Sequence, residues 1–432
     1  MKLTFIGATQ SVTGSMTLVQ DGETKLLVDA GLYQGLDAEE KLLTPLPFNP
    51  KDLSGVVITH AHLDHCGMLP RLFKLGFKGP VFCTEITSKL MRLILTDSAH
   101  LLEEKENPEL QNFYDQKDVE KVFGSLHKLT LHHAHVFENL TLTLRDAGHI
   151  LGATSLLLEG TKRVLFSGDL GRSDDLLLNA PEKALPDLDL IVMESTYGDR
   201  LRPKGMEAEL ASFLVKIKQE SRTGLIASFA VARAQTLIYL MHQFYTRHPE
   251  YKVPVYVDGP MLQSANTIYT RYAHTTRDPQ GLKRALTEFE MIEHYKVREH
   301  IQNKDGPQII LASSGMLSGG PVMSYLQNFM RDENVSLLLS GYQAEGTLGR
   351  ALSDHQKNLK INNKPFEWRG EIEQAETFSS HADQEELINW LAENSHTPVA
   401  LIHGEENAKL KLKEFLNDRE CFIPKSNETR HV

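Results

Sequence analysis

The stretch Thr59-His60-Ala61-His62-Leu63-Asp64-His65-Cys66-Gly67 limits what this chain can become more than any other part of it. It follows Gly55-Val56-Val57-Ile58, a short apolar run of the kind that forms a buried strand. A strand thus ends in a tight loop that carries His60, His62, Asp64 and His65 within six residues. Imidazole nitrogens and carboxylate oxygens suit a borderline cation such as zinc, and alternate residues on one loop arm can divide between two neighbouring ions. The bland alternative is an accidental run of histidines on a solvated loop. With 19 His in 432 residues, that pattern arises by chance in roughly one chain of several hundred.

An apolar strand closed by an ionisable residue recurs along the chain. Leu26-Leu27-Val28 ends at Asp29, Val164-Leu165-Phe166-Ser167-Gly168 at Asp169, and Leu190-Ile191-Val192-Met193 at Glu194. Residues 140–144 alternate as a half-exposed strand and lead to Ala147-Gly148-His149, where the glycine lets the backbone come close. Residues 399–402 lead to His403, and Gly404 leaves the approach to it open. A lone acid at a strand end is as readily a turn former. The recurrence points instead to strand ends converging on one rim, a rigid place to hold ligands. His132, His133 and His135 fall in the alternation of residues 129–136, where neighbours face opposite ways, so they read as non-ligand histidines.

At 432 residues the chain exceeds one ordinary core, and its pattern changes partway. Residues 2–6 read as a strand, 7–14 as a turn-rich loop, and 16–19 with 25–28 as a hairpin about Asp21-Gly22. Helical spacing runs from Cys83 to about Leu102 and from Asp115 to Phe123. Beyond Glu194-Ser195-Thr196-Tyr197-Gly198 the two periods alternate. Residues 207–220, 232–245 and 261–272 are predicted helical, and 224–229, 253–258, 308–313 and 336–340 extended. Such alternation implies a parallel sheet with crossover helices. The final segment returns to the opening style, with 385–391 helical before the strand that ends at His403. The expected organisation is one domain from residues 1–198 and 379–432, interrupted by an insertion at 199–378.

A net charge of −11 argues against holding nucleic acid by bulk electrostatics, which would need a basic surface. Metal ions in a cleft supply their own positive charge, so a phosphodiester substrate stays compatible with it. Cys66, Cys83 and Cys421 form no C-x-x-C pair and are odd in number, which suggests neither a disulfide framework nor a thiolate zinc site and fits a reducing cytoplasm. The first residues are too short in apolar length for a signal peptide, and nowhere do eighteen apolar residues run together. The expectation is a cytoplasmic chain with no membrane contact.

Taken in order, Asp29, His60, His62, Asp64, His65, His149, Asp169 and Glu194, then Ser379-Ser380-His381-Ala382-Asp383 and His403-Gly404-Glu405 after the insertion, resemble the β-CASP group of metallo-β-lactamase fold ribonucleases. The likeness is to the branch holding the cleavage and polyadenylation specificity factor endonuclease and its stand-alone prokaryotic relatives, and it spans essentially the whole chain. It implies an α/β fold, a metallo-β-lactamase αββα sandwich with an inserted α/β (β-CASP) domain containing a mainly parallel sheet. It implies two zinc ions per chain, one held by His60, His62 and His149, the other by Asp64, His65 and His403, with Asp169 bridging. Asp64 would orient a hydroxide shared by the metals, His381 would protonate the leaving oxygen, Glu194 would orient His381, and Asp29 would steady a ligand. The other reading of His381 is a residue at the start of a helix, capped by its serines.

The resemblance further implies internal cutting of single-stranded RNA, leaving 5′-phosphate and 3′-hydroxyl ends. Two glycine-rich turns, 313–320 and 341–350, would offer RNA phosphates Ser314, Gly315, Gln343 and Arg350, and Ser379 and Ser380 would join them; as sequence alone such turns are as readily simple tight turns. His403 matches the RNA-acting branch, whereas the DNA-acting branch carries valine there. The RNA-binding domain that archaeal members carry ahead of the first strand, and the C-terminal extension of the J-type ribonucleases, have no counterpart here, so neither protein partners nor processive trimming is implied. Rival readings are another hydrolase of the same fold, a DNA-repair nuclease or a thioesterase-like enzyme, and a non-catalytic RNA-binding scaffold. RNA sequence preference and oligomeric state, a homodimer included, stay open.

Overall fold

The structure is a computed structural model that describes all residues except 36, 305, 357, 358, 362, 363, 376, 392, 393 and 395. The described residues form two compact units, Met1–Leu201 with Ser380–Val432, and Arg202–Ser379.

The first unit holds two sheets. From edge to edge, one runs Glu428–His431, Lys2–Gly7, Met16–Asp21, Thr24–Val28, Gly55–Val57, Val81–Thr84 and Leu126–Leu129. The other runs Cys421–Phe422, Val399–Leu401, Leu190–Met193, Arg163–Phe166, Thr154–Glu159, Leu140–Asp146 and His135–Phe137. Val28, Val57 and Phe82 from the first meet Leu142, Leu156, Val164, Phe166 and Val192 from the second in one buried cluster. The residues between them, Leu157, Leu165, Ile191 and Met193, face away and bury against Leu387, Trp390 and Leu412 of the helices Gln384–Trp390 and Glu406–Phe415, as a side-chain period of two requires. Glu85–Glu103 packs on the strands Val81–Thr84 and Leu126–Leu129 of the first sheet. Helix, sheet, sheet and helix thus follow one another, which is the expected αββα sandwich.

Strand direction is what gathers the ionisable residues. Thr24–Val28 and Gly55–Val57 are parallel neighbours, so the segments that follow them, with Asp29 and with His60, leave from the same edge. Arg163–Phe166, Leu190–Met193 and Val399–Leu401 are parallel neighbours too, which brings Asp169, Glu194 and His403 out together. Leu140–Asp146 runs antiparallel to Thr154–Glu159, itself antiparallel to Arg163–Phe166, so its end and His149 emerge at that edge as well.

The second unit is built on the parallel strands Glu290–Ile292, Val255–Asp258, Gln308–Ala312, Thr223–Ala227, Val335–Leu339 and Glu371–Gln374, in that spatial order. Its central strands are buried along nearly their whole length, as expected of a parallel sheet covered by helices. Val322, Tyr325, Leu326 and Phe329 of the helix Pro321–Phe329 join Leu225, Ile310 and Leu337 in its core. At the end of one strand, buried Asp258 takes both guanidinium arms of Arg298 at 2.6 and 3.0 Å and the Tyr325 hydroxyl at 2.8 Å.

Two expectations need correction. The helix read as beginning at Cys83 begins at Glu85, because Val81–Thr84 is a strand and the Thr84 side chain accepts from Thr87 N to cap the helix. The alternation read across 129–136 is broken: one strand ends at Leu129, His132 turns the chain at φ 63°, and His135–Phe137 belongs to the other sheet.

Candidate metal centre

The loop after Gly55–Val57 is anchored from behind by Asp29. Its Oδ1 accepts from Thr59 N at 2.7 Å, and its Oδ2 accepts from Thr59 Oγ1 at 2.9 Å and from His65 Nδ1 at 2.8 Å. That fixes two ring orientations. With Nδ1 donating to Asp29, His65 presents Nε2 to the site. The Thr59 hydroxyl, having given its proton to Asp29, accepts from His60 Nδ1 at 3.1 Å, and His60 also presents Nε2.

Three imidazoles converge here. His62 Nδ1 stands 3.2 Å from His60 Nε2 and 3.2 Å from His149 Nε2. Asp169 Oδ2 lies 3.5 Å from His60 Nε2 and 3.7 Å from His149 Nε2. Two nitrogens bound about 2.0–2.1 Å from one tetrahedral ion lie about 3.3 Å apart, so this spacing is that of ligands around a common cation. Asp169 turns its other oxygen to a second group: Oδ1 lies 3.2 Å from His65 Nε2 and 3.4 Å from His403 Nδ1. His403 Nε2 in turn lies 3.3 Å from Asp64 Oδ2. The structure therefore brings together His60, His62, His149 and Asp169 in one set, and Asp64, His65 and His403 in another.

The electrostatics of the first set fit a cation, whereas against burial Asp169 and Asp29 raise His65 of the second well above the usual histidine range. Burial, then the positive neighbours, hold His60 and His149 well below the usual histidine range, and burial brings His62 down to about 4; neutral imidazoles are what a metal takes. Burial works against a charge on Asp169, yet His403, His65 and His60 keep it well below the usual carboxylate range. Asp169 Oδ1 is buried and takes no hydrogen bond, and so is His149 Nδ1. A buried, ionised carboxylate oxygen facing two imidazoles and left without a donor is the observation that a bound cation would account for.

A third set, Asp169, Glu194 and His381, adjoins the first two. Glu194 is pinned by Leu170 N at 2.7 Å and Thr196 N at 3.1 Å, and its Oε1 faces His381 Nδ1 at 3.2 Å. Burial works against a charge on His381, but Glu194, then Asp169 and Asp64, raise its pKa above the ordinary value. The ring lies 4.4 Å from that of His149 and is 19% exposed, whereas the His60 and His149 side chains are closed off, so His381 stands at the mouth. Its segment is held by Ala382 N donating to Leu170 O at 2.8 Å and by a bridge to Gly171. A Cβ on Gly171 would stand 1.9 Å from Gly148 O, so only glycine lets this segment and the His149 loop meet. His381 does not belong to a helix: Gln384–Trp390 starts three residues later, and Asp383, not the serines, caps it, with Glu386 completing a capping box. Gly404 does not stand open as expected, since a Cβ there would meet Ser195 Oγ at 2.5 Å.

Sequence reasoning missed Thr59, Ser15 and Thr196. Ser15 Oγ stands 3.2 Å from His65 Nε2, and Thr196 Oγ1 3.1 Å from His403 Nδ1. A hydroxyl next to a ligand run gives no pattern of its own. His132 and His133 are exposed and His135 partly so, and none joins a ligand set. In the second unit, Ser314 Oγ accepts from Ser318 N at 3.1 Å within its turn. Gln343 is buried and donates to Gly315 O at 3.0 Å and Gly341 O at 2.9 Å, tying the two glycine-rich turns together. Arg350 pairs with Asp354 at 2.9 Å. Ser379 ends the second unit and Ser380 opens the return of the first.

An αββα sandwich whose strand ends carry these two ligand sets is a metal-dependent hydrolase of the metallo-β-lactamase fold, and the comparisons agree. Residues 11–213 match the metallo-beta-lactamase superfamily, 234–352 the Beta-Casp domain, and 367–424 the Zn-dependent metallo-hydrolase RNA specificity domain. The chain is 34% identical over 430 residues to ribonuclease TTHA0252 of Thermus thermophilus, covering 96% of each. It is 32% identical to transcription termination factor FttA of Methanocaldococcus jannaschii, covering 98% of this chain and 70% of that one. With the probable RNase MJ4 of the same organism it shares 31% identity over 94% of each chain. A crystal structure of a protein of unknown function from Enterococcus faecalis has the same fold, with a TM-score of 0.59 at 14% identity over 99% of each chain. The chain belongs to the β-CASP group of metallo-β-lactamase fold ribonucleases. Among the described residues no helix is long and apolar enough to cross a membrane.

Proposed function

We propose that this chain cuts single-stranded RNA internally, using two zinc ions, and leaves 5′-phosphate and 3′-hydroxyl ends. The observation that carries this reading is Asp169, with one carboxylate oxygen toward each ligand set and the His381–Glu194 pair alongside. His60, His62 and His149 would hold one ion, Asp64, His65 and His403 the other, and Asp169 both. Such a pair of ions supplies an acidified water and neutralises charge on the phosphoryl oxygens.

The rest falls to side chains of this chain. Asp64, one oxygen of which faces His403 across the second position, would orient the attacking water with the other. His381, its Nδ1 committed to Glu194, turns Nε2 toward the leaving 3′-oxygen and gives it a proton. Glu194 keeps that ring oriented and its positive charge compensated, and its two backbone donors keep Glu194 itself from moving. In the second unit Ser314, Gly315 and Arg350 contact phosphates, with Gln343 setting the shape of their turns, and Ser379 and Ser380 contact phosphates as well. Elemental analysis tests the reading: about two zinc ions per chain in fresh protein, about one in His403→Ala, and loss of cleavage on chelation. Active protein without metal would sink it, as would full occupancy of both positions in the variant.

A further inference from the structure

The loop of residues 8–15, between the strands Lys2–Gly7 and Met16–Asp21, touches every member of the second ligand set. Ser15 N donates to Asp64 O at 2.8 Å, and Ser15 Oγ stands 3.2 Å from His65 Nε2. Ala8 O accepts from His403 N at 2.7 Å, and Ser11 O from Gly404 N at 3.2 Å. Both Ala8 (φ 52°) and His403 (φ 49°) sit in the left-handed region, so this junction is held against backbone preference by its bonds. The first set leans elsewhere, His60 on Thr59 and the three rings on one another and Asp169.

Between those two anchors, Lys409 of the helix Glu406–Phe415 reaches the loop and donates its ammonium to Thr9 O. Lys409 is 1% exposed. Burial pushes it down to about 8 against the opposing charge of Glu406. An ammonium is a costly way to fill space, since taking it out of water costs several kcal/mol unless its hydrogen bonds return that energy. A methionine would fill the same volume without that cost.

We propose that Lys409 is a positioning residue for the second metal position. By tethering Thr9 it fixes a loop that contacts Asp64, His65 and His403 alike, complementing Asp29 behind His65 and Thr196 beside His403, while the first position does not depend on it. The inference rests on the two-metal reading above. The test is a zinc titration of metal-free wild type and Lys409→Met against a competing chelating dye at pH 7.5, with hydrogen exchange followed in both metal-free proteins. The first zinc should bind Lys409→Met as it binds wild type, and the second about 10–100-fold more weakly, the usual cost of removing a group that orients a ligand. Exchange in the metal-free variant should quicken in residues 8–15 and at His403 and Gly404, and not around His60 or His149. Lys409→Gln, which keeps a donor, should recover part of the loss. Equal affinity for both zinc ions in wild type and Lys409→Met would overturn the inference, and so would failure of both variants to fold, which would make Lys409 a general packing residue. Wild type binding fewer than two zinc ions would instead overturn the two-metal reading itself.

Discussion

Replacing His381 with alanine removes the proposed proton donor while every metal ligand stays in place. The side chain that is lost spends Nδ1 on Glu194 at 3.2 Å and lies beside, not within, the two ligand sets. Zinc content should therefore stay at the wild-type value. A general acid contributes about 10²–10⁴ in rate, or about 2.7–5.4 kcal/mol of barrier. The distinguishing assay is single-turnover cleavage of two RNAs, one natural and one with sulfur in place of the scissile 3′-oxygen. A thiolate leaves without needing a proton, so the variant should be slow on the first and close to wild type on the second. Glu194→Gln, which keeps the shape but not the charge, should show the same selectivity to a smaller degree. Equal losses on both substrates would refute the proton-donor role and leave His381 as a residue that positions substrate or His149.

In the second unit, Asp258→Ala strands the Arg298 guanidinium and the Tyr325 hydroxyl that share its carboxylate, and should cost about 3 kcal/mol of stability in a denaturant melt. A loss under about 0.5 kcal/mol would mean that solvent takes over those donors. Burial raises all three thiols, Cys66 well above the ordinary range, Cys83 to about 12 and Cys421 to about 11, so below about pH 10 the thiolate is scarce. Native protein at pH 7.5 should resist iodoacetamide and react at all three cysteines in denaturant, as peptide mass spectrometry would read; rapid native labelling of Cys66 would mean that the ligand loop opens.

Much of the site was legible because its residues sit where a strand pattern stops. Asp29, His60, Asp169, Glu194 and His403 each follow an apolar run, and parallel neighbours send such ends to one edge. The supports were not legible, because Ser15, Thr59, Thr196 and Lys409 act through contacts far apart in sequence and belong to no period. Cys83 and Thr84, the end of the strand Val81–Thr84, were drawn into the helix after them because so short a run has no period of its own to tell strand from helix. The break after Leu129 was hidden because Leu129-Thr130-Leu131-His132 alternates straight past it, and only the doublet His132-His133 interrupts the pattern, at the turn. The capping box of Asp383 and Glu386 did carry a sequence signal, an acid followed three residues on by glutamate, and the neighbouring serines masked it.

The most direct measurement is the chemistry of the cut. Purified protein is incubated with an internally labelled single-stranded RNA blocked at both ends, with the matching DNA in parallel and with a chelated control, and the new ends are identified by enzymatic and mass analysis. Hydroxide attack on phosphorus with a 3′-oxygen leaving group requires 5′-phosphate and 3′-hydroxyl ends and metal in place, and the proposed function adds that the cuts are internal and fall on RNA far more than on DNA. Cyclic phosphate ends, equal cutting of DNA, or cleavage that survives chelation would contradict it.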